Sequence, residues 1–263
     1  MRALPGFRVA LLALLSVAIL RAETDGWLDL NRLDPAAAQT KFADRTDRQS
    51  RLGAALALLG VQPRTEARVH EARGIFDALR AADPNDDPGI AATYQIARID
   101  QLFAQPANPA AAIATYRALL ATHPGNAIAE RAAPKLALLL LYADVAEAAW
   151  EERVTEITTL LPSLQSRAAQ RDTRLVLADA LLRLRGDHAR ALPLLEYCLE
   201  RDLVVRPPGI ANALLTAAEC ARVTGRKAEA AAYYRRYVRD FPREPSVSEA
   251  GRRAERLEKE AQG

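Results

Sequence analysis

A pattern of four residues recurs five times along the chain, and it limits the fold more than any other feature. In the segment 229–245, Ala230 is followed at offsets of 4, 7 and 12 by Tyr234, Tyr237 and Pro242. The five copies begin at residues 72, 112, 150, 191 and 230, so the successive spacings are 40, 38, 41 and 39 residues. A period of this length indicates a chain built from stacked copies of one small unit.

The other copies keep the offsets but use different apolar residues. They are Ala72, Phe76, Leu79 and Pro84; Ala112, Tyr116, Leu119 and Pro124; Trp150, Val154, Ile157 and Pro162; and Ala191, Leu195 and Cys198, with Leu203 in place of the proline. Offsets 0, 4 and 7 share one face of a helix, and proline disfavours its continuation. Each copy therefore predicts an amphipathic helix that stops near offset 12.

Another apolar stretch precedes these helices and predicts helix–turn–helix hairpins. The clearest stretches are residues 90–104, 127–142, 173–185 and 210–224. Gly186 and Gly225 fall in the turns and suit a left-handed helix C-cap. We also expect Gly225 and Ala230 to be small because two helices approach closely there. One hairpin cannot cover its own apolar face, so neighbouring hairpins are expected to stack.

The composition favours the same class. Half of the 263 residues are hydrophobic, mostly Ala and Leu, and only 5% are aromatic. Ala and Leu are strong helix formers, whereas strands prefer β-branched and aromatic residues. We therefore predict an all-α protein.

The best copy resembles the tetratricopeptide repeat. Its segment LLTAAECARVTGRKAEAAAYYRRYVRDFP has small residues in the first helix, a turn Gly, an Ala in the second helix, aromatic residues and a final Pro. The matching residues are Ala217, Ala218, Ala221, Gly225, Ala230, Tyr234, Tyr237 and Pro242. The resemblance implies a right-handed α-solenoid of about five tetratricopeptide-like units over residues 23–244, closed by a C-terminal capping helix at 245–263.

The sequence also departs from that family. The resemblance is strong over residues 210–243, fair over 165–203 and near 72–84 and 112–124, and weak over 126–162. The period of about 39 residues exceeds the usual period of about 34. The first helices also lack the family's Trp-x-x-Leu-Gly-x-x-Tyr run. We therefore expect extended, variable hairpins.

Residues 1–22 have the features of a cleaved signal peptide. Arg2 and Arg8 precede an uncharged apolar run over residues 9–20, and Ala22 comes before an acidic segment. A run of this length suits a secretory segment, whereas a membrane-spanning helix needs about 20 apolar residues. An uncleaved anchor is the alternative. The first cysteine is Cys198, which excludes acylation near the cleavage site.

We therefore expect an exported protein, periplasmic or secreted, with no stable membrane insertion after cleavage. The formal net charge is +3, and residues 1–22 hold three arginines and no acid. Without them, basic and acidic residues balance. Nucleic-acid-binding proteins usually carry a clustered basic excess. In the segment 229–245 the tyrosines and arginines lie on opposite helix faces, so we predict no nucleic-acid partner.

No catalytic, cofactor or metal motif is present. His70, His123 and His188 stand far apart in sequence, and neither His-x-x-x-His nor Cys-x-x-Cys occurs. The segment PNDDPG at residues 84–89 lacks the ligand spacing of a calcium loop, so we predict a turn that caps the next helix. We expect no catalytic residue, no cofactor and no metal.

Cys198 and Cys220 are predicted in the second helix of the fourth unit and the first helix of the fifth. These two helices must pack together. Both a disulfide and two buried free thiols fit the pattern, and the sequence leaves the choice open.

The remaining candidate surface is the concave face, which first helices line in tetratricopeptide-like stacks. The candidate partner-binding residues are Asn212, Leu215, Glu219 and Arg222 in the fifth unit, Asp172 and Asp179 in the fourth, and Tyr94, Arg98 and Gln101 in the second. Family members that clamp a C-terminal carboxylate use Lys and Asn at such places. Glu219 and Asp179 stand there instead, which argues against that ligand. Ordinary solvated helix surface is the alternative interpretation for all nine residues.

These predictions together describe a non-enzymatic protein–protein interaction scaffold of the bacterial envelope, whose groove receives a peptide or protein of unknown identity. The alternative is an accessory solenoid domain that positions an envelope enzyme or a polysaccharide-assembly machine.

Overall fold

The computed structural model describes residues 26–142 and 147–262. Within these two ranges all regular secondary structure is helical, which confirms the predicted all-α class. The chain divides into two compact units, Met1–His123 and Pro124–Gly263. The predicted signal peptide, residues 1–22, lies outside the described residues and stays a prediction.

In the first unit each helix from α2 onward packs against the next one along the chain. The helices are α1 at residues 26–31, α2 at Pro35–Phe42, α3 at Arg48–Gly60, α4 at Glu66–Ala82, α5 at Asp87–Leu102 and α6 at Pro109–Thr122. α3 with α4, and α5 with α6, form the first two predicted hairpins. The helices α1 and α2 precede them, and Phe42 of α2 packs edge-on against Trp27 of α1.

The second unit continues the pattern with three hairpins and a last helix. The helices are α7 at Ala132–Tyr142, α8 at Glu147–Leu160, α9 at Arg167–Arg185, α10 at His188–Glu200, α11 at Pro207–Val223, α12 at Lys227–Asp240 and α13 at Val247–Gln262. From α9 to α13 each helix packs against the next, and α7 packs against both α8 and α9. The α7–α9 contact brings the first helices of two successive hairpins side by side.

The repeated apolar positions form the core of the second helices. Every one of these residues is at most 5% exposed: Ala72, Phe76, Leu79, Ala112, Tyr116, Leu119, Trp150, Val154, Ile157, Ala191, Leu195, Cys198, Ala230, Tyr234 and Tyr237. The offset pattern therefore identified a buried helix face in all five units.

The expected stops also lie near offset 12. The α-helices end at Ala82, Thr122, Leu160 and Asp240, each two residues before the proline of its repeat. In the fourth unit, where the proline is missing, α10 ends at Glu200 and Leu203 is buried in the following turn.

The two turn glycines adopt the predicted left-handed conformation, with φ of 63° at Gly186 and 78° at Gly225. The expected close approach is wrong for Gly225, because a Cβ added there would meet none of the described atoms within 4 Å. Its positive φ, which disfavours other residues, explains the glycine instead. Ala230 is fully buried, so a small residue is needed there.

The acidic turn after α4 caps the next helix, as predicted. The carboxylate of Asp86 accepts a hydrogen bond of 2.8 Å from the backbone N–H of Gly89, in the first turn of α5. The same carboxylate lies 2.6 Å from the guanidinium of Arg48 in α3. Asp86 therefore links α3 of the first hairpin to α5 of the second.

The polar helix predicted at the C-terminus is α13. It buries Ala250, Ala254 and Leu257, which are spaced by four and three residues and so lie on one face. The opposite face is charged and exposed, as expected of a helix that closes a stack. α13 packs against α12.

Candidate interaction groove

A groove of about 610 Å³ opens on the second unit, where the first helices of three successive hairpins meet. We call it the apolar groove. Its walls are Leu138 and Tyr142 of α7; Leu175, Val176, Ala178, Asp179, Leu182 and Arg183 of α9; Leu195 of α10; Val204 and Gly209 of the loop and start of α11; and Asn212, Ala213 and Thr216 of α11. Most of these side chains are aliphatic or small.

Large apolar side chains stand open to solvent in this groove. Leu138 is 41% exposed and Tyr142 is 40% exposed. Leu175, Val176 and Leu182 of α9 are half-buried beside them. Leu138 and Tyr142 are four residues apart, so they share one face of α7. Both side chains are therefore accessible from the solvent side of the groove.

The charges that line the groove satisfy each other. The Nε–H of Arg183 donates to the carboxylate of Asp179 at 2.7 Å. The hydroxyl of Tyr142 donates to the other oxygen of the same carboxylate. Desolvation and this bond raise the pKa of Tyr142, so it stays a neutral donor at physiological pH. Among its described residues, the groove therefore offers no unpaired carboxylate.

Two polar side chains that line the groove keep hydrogen-bonding capacity: Asn212, and Arg183, which is 74% exposed and bonds Asp179 through its Nε–H. The side chain of Asn212 is exposed, and no hydrogen bond between described residues involves its carboxamide. The hydroxyl of neighbouring Thr216 is engaged, because it donates to the backbone carbonyl of Asn212 at 2.8 Å. A free carboxamide offers both a donor and an acceptor.

Two of the nine predicted partner-binding residues, Asp179 and Asn212, therefore line the apolar groove. Asp172, also on α9, is half-buried and accepts from the Nε–H of Arg171 at 2.7 Å. It does not line the groove.

Three others, Leu215, Glu219 and Arg222, face the C-terminal helix. The carboxylate of Glu219 lies 2.6 Å from the guanidinium of Arg222 and 3.7 Å from that of Arg253 in α13. The hydroxyl of Tyr234 lies within 3.4 Å of both Glu219 and Arg253. We call Glu219, Arg222, Tyr234, Glu249 and Arg253 the charged cap cluster. It lines two pockets between α11, α12 and α13, one of which also includes Leu215.

Electrostatics hold this cluster ionised. The hydrogen bond from Arg222, with the nearby charge of Arg253 and the hydroxyl of Tyr234, lowers the pKa of Glu219 below its usual range. Hydrogen bonds from Arg253 and Arg252 likewise lower the pKa of Glu249. The cluster is therefore an internal network of ion pairs.

The three residues predicted in the second hairpin are mostly engaged. Tyr94 is only 8% exposed, and its ring packs 6.1 Å from that of Tyr116. It belongs to the core, so its prediction as a groove residue is corrected. Arg98 donates to Gln101 at 2.8 Å, and the hydroxyl of Tyr116 donates to the same amide oxygen at 3.0 Å. Arg98 and Gln101 thus anchor α5 to α6.

The sequence interpretation missed Leu138, Tyr142, Leu175, Val176 and Leu182. The third unit resembles the family weakly, so no groove residue was assigned in α7. A usable signal was the run LALLLLY, which ends α7. A helix with apolar residues on every side needs a neighbour on every side or leaves some exposed.

Other candidate chemistry is limited in the part of the chain that the structure describes. There, no group of three or more His, Cys, Asp or Glu side chains could hold a metal ion. Cys198 and Cys220 are free and buried, and desolvation raises the pKa of both thiols to about 11. In the same described ranges no helix is both long enough and apolar enough to cross a bilayer.

A family model supports the repeat assignment of the fifth hairpin. The family model "Tetratricopeptide repeat" matches residues 212–243, which contain most of α11 and all of α12. A solved structure of a thermophilic tetratricopeptide repeat protein from Thermus thermophilus is 19% identical over 80% of this chain and 99% of that chain, with a TM-score of 0.44. No curated protein matches the chain.

The matched segment is the fifth copy of a pattern whose buried positions recur in all five hairpins. The family's own small, turn and aromatic positions coincide with buried Ala218, left-handed Gly225 and buried Tyr234. Residues 212–243 are therefore similar to the tetratricopeptide repeat, and the four preceding hairpins share its pattern of buried positions.

Proposed function

We propose that this protein is a non-enzymatic interaction scaffold of the bacterial envelope, which binds a peptide or protein partner in its apolar groove. The open, aliphatic groove formed by α7, α9 and α11 is the observation that carries this proposal. A solvent-exposed groove with few polar groups is a favourable place for a partner's side chains to leave water.

The repeat architecture supports binding over catalysis. Stacked hairpins align their first helices, so that residues distant in sequence form one rigid surface. In the second unit this brings Leu138, Val176 and Asn212 from three hairpins to one groove. Rigid alignment lowers the conformational entropy lost when a partner binds.

Site-specific crosslinking in the native envelope tests this proposal. A photoreactive benzoylphenylalanine replaces Leu138 in the groove or, as a matched control, Leu184 of α9, which is 45% exposed and lies outside the groove lining. We expect a discrete crosslinked protein from position 138 and not from position 184. Equal crosslinking at both positions, or none at 138, contradicts the proposal.

Export is a separate part of the proposal and needs its own test. The basic flank and short apolar run of residues 1–22 support it. N-terminal sequencing of the protein recovered from the envelope fraction should begin at Glu23. An intact Met1 contradicts cleavage, and recovery from the cytoplasmic fraction alone contradicts export.

A further inference from the structure

We propose that three arginines around Tyr197 form a binding site for a phosphate-type oxyanion, that is, inorganic phosphate or a phosphate monoester. The arginines are Arg167 and Arg174 of α9 and Arg201, which directly follows α10. We call these four residues the arginine cluster. None of them lines the apolar groove, so this site is separate from the one proposed for a protein partner.

The ring of Tyr197 brings two of the guanidinium groups together. The Cζ atom of Arg174 lies 3.6 Å from the ring centroid, and that of Arg201 lies 4.3 Å from it. The hydroxyl of Tyr197 donates to the side-chain oxygen of Gln170 at 3.0 Å, which fixes the position of the ring. The ring face attracts both cations, but it has no net charge with which to neutralise them.

The charge of Arg174 is buried without an anionic partner among the described residues. Arg174 is 6% exposed, and its described hydrogen bond runs from Nη1–H to the backbone carbonyl of Gln170 at 3.0 Å. Desolvation, with the nearby charge of Arg201, lowers the pKa of Arg174, and no described carboxylate opposes this shift. Buried charges in proteins are normally paired. A guanidinium has more N–H donors than this one bond uses, so Arg174 keeps donors for an anion.

Arg201 and Arg167 add two exposed cations at the end of α10. The guanidinium of Arg201 forms no hydrogen bond or ion pair with a described residue. The Nη2 group of Arg167 donates to the backbone carbonyls of Arg201 and Asp202 at 3.1 and 2.7 Å. These bonds hold Arg167 beside Arg201 and leave its charge without a carboxylate.

The acidic residues that are close in sequence do not compensate the cluster. Asp172 accepts a hydrogen bond of 2.7 Å from the Nε–H of Arg171. Glu200 and Asp202 are exposed, and their carboxylates form no ion pair with a described residue. The cationic groups of the cluster therefore stay open to an anion from solution.

Guanidinium chemistry favours a phosphate group as that anion. Each guanidinium presents its N–H groups as a planar fork that binds two oxygen atoms. A phosphate monoester carries about two negative charges at neutral pH and has three acceptor oxygens, so it can accept from more than one arginine. A carboxylate has fewer acceptor oxygens and a single charge, so it matches a cluster of three cations less well.

Titration of the purified protein with inorganic phosphate tests the site. Sodium chloride keeps the ionic strength constant, so that general screening does not change during the titration. We expect saturable binding by isothermal titration calorimetry. Arg201→Gln should weaken it by about tenfold or more, the effect of losing a charged hydrogen-bond donor. Arg243→Gln is the matched control, because Arg243 is exposed in the same unit and has no described ion pair. It should leave affinity unchanged.

Arg174→Lys tests the buried member of the cluster. Lysine keeps a positive charge but lacks the planar fork, so affinity should fall by about threefold or more. Circular dichroism shows whether this variant keeps its helical fold. If it does not, Arg201→Gln and Arg167→Gln, both at exposed positions, decide the outcome.

Co-sedimentation with phosphatidylcholine vesicles that contain phosphatidic acid distinguishes the two sources of phosphate. Vesicle binding that Arg201→Gln abolishes assigns a lipid headgroup, whereas binding of inorganic phosphate alone assigns a soluble ligand. No binding at about 10 mM phosphate, or equal affinity for Arg201→Gln and the unaltered protein, overturns the proposal. Equal loss in Arg243→Gln also overturns it. The crosslinking result at position 138 is independent of these outcomes, because the two sites share no residue.

Discussion

The apolar groove and the charged cap cluster both include residues of α11 in the second unit. They differ in whether another helix of the chain contacts their side chains. In the groove, Leu138 and Tyr142 are each at least 40% exposed, and none of the described helices covers them. In the cap cluster, Glu219 is bonded to Arg222 and lies near Arg253 of α13. The first surface is open to solvent, whereas the second is in contact with a helix of the same chain.

This difference shows that the register of a repeat does not decide which positions are free to bind. Asn212 and Glu219 are seven residues apart on α11 and so lie on similar faces. Asn212 borders the groove, while Glu219 borders α13. The last helix therefore covers the part of α11 that contains Glu219.

The largest expected effect is on the free energy of unfolding of a cap-cluster variant. Tyr234 is 2% exposed, and its ring is part of the repeated core. Tyr234→Ala should lower the free energy of unfolding by about 3–5 kcal/mol, through lost burial and the cavity that remains. Urea unfolding followed by circular dichroism measures it.

Tyr142→Ala in the groove is the matched control for that substitution. Tyr142 is 40% exposed, and its loss removes little more than one hydrogen bond to Asp179. It should cost no more than about 1 kcal/mol. Equal costs for the two tyrosines would mean that the groove is not an open surface.

The next largest effect on the free energy of unfolding is expected at Gly225, in the turn between α11 and α12. Gly225 has φ of 78°, and there is space around it for a Cβ. Gly225→Ala should cost about 1–2 kcal/mol, the penalty of a left-handed conformation for an L-residue. Gly251→Ala in α13, where an added Cβ also meets none of the described atoms, should instead stabilise by about 0.5–1 kcal/mol. A neutral Gly225→Ala in the same urea assay would refute the left-handed turn.

The pH dependence of stability also distinguishes the charged cap cluster from the apolar groove, but the expected change in free energy is smaller. The folded-state pKa of Glu219 lies below its ordinary value of 4.5. Between these two values the unfolded chain binds more protons than the folded chain. The stabilisation that ionised Glu219 contributes is therefore complete above pH 4.5. It is lost as the pH falls through the folded-state pKa.

Glu219→Gln should remove part of this acid sensitivity. The carboxylate is 37% exposed, so solvent screening keeps its contribution below about 1 kcal/mol. Thermal unfolding between about pH 7 and about pH 3 compares the variant with the unaltered protein. Asn212→Ala, in the groove, should leave the pH profile unchanged. A profile identical for Glu219→Gln and the unaltered protein would show that the cap cluster does not hold Glu219 ionised.

The smallest stability effect is expected for the groove leucine. Leu138→Arg and Leu184→Arg replace exposed residues, so each should change the free energy of unfolding by about 0.5 kcal/mol or less. A loss above about 2 kcal/mol for Leu138→Arg alone, in urea unfolding, would show that Leu138 serves the core.

Sequence reasoning was most accurate where local pattern and burial coincide. The residues at offsets 0, 4 and 7, from Ala72 to Tyr237, are all buried, because a helix period and a core face impose the same spacing. Gly186 and Gly225 were placed correctly because a positive φ is a local property of one residue.

Sequence reasoning was weaker for the candidate site, because exposure depends on neighbours distant in the chain. Tyr94 was expected on the surface but is covered by Tyr116 of the following helix. Leu138 was not assigned, since its exposure follows from which helices lie beside α7. Leu215 and Glu219 matched the expected register, yet α13 covers their side of α11.

The sequence by itself therefore determined the all-α class, the helical hairpins, their buried faces and their stops. Each of these follows from helix periodicity, glycine and proline geometry, and the need to cover an apolar stripe. Only the tertiary structure decided which first-helix surfaces stay open, because that depends on whether another helix packs there. Leu138 stays open to solvent in the groove, whereas Arg253 of α13 reaches the ion pair at Glu219.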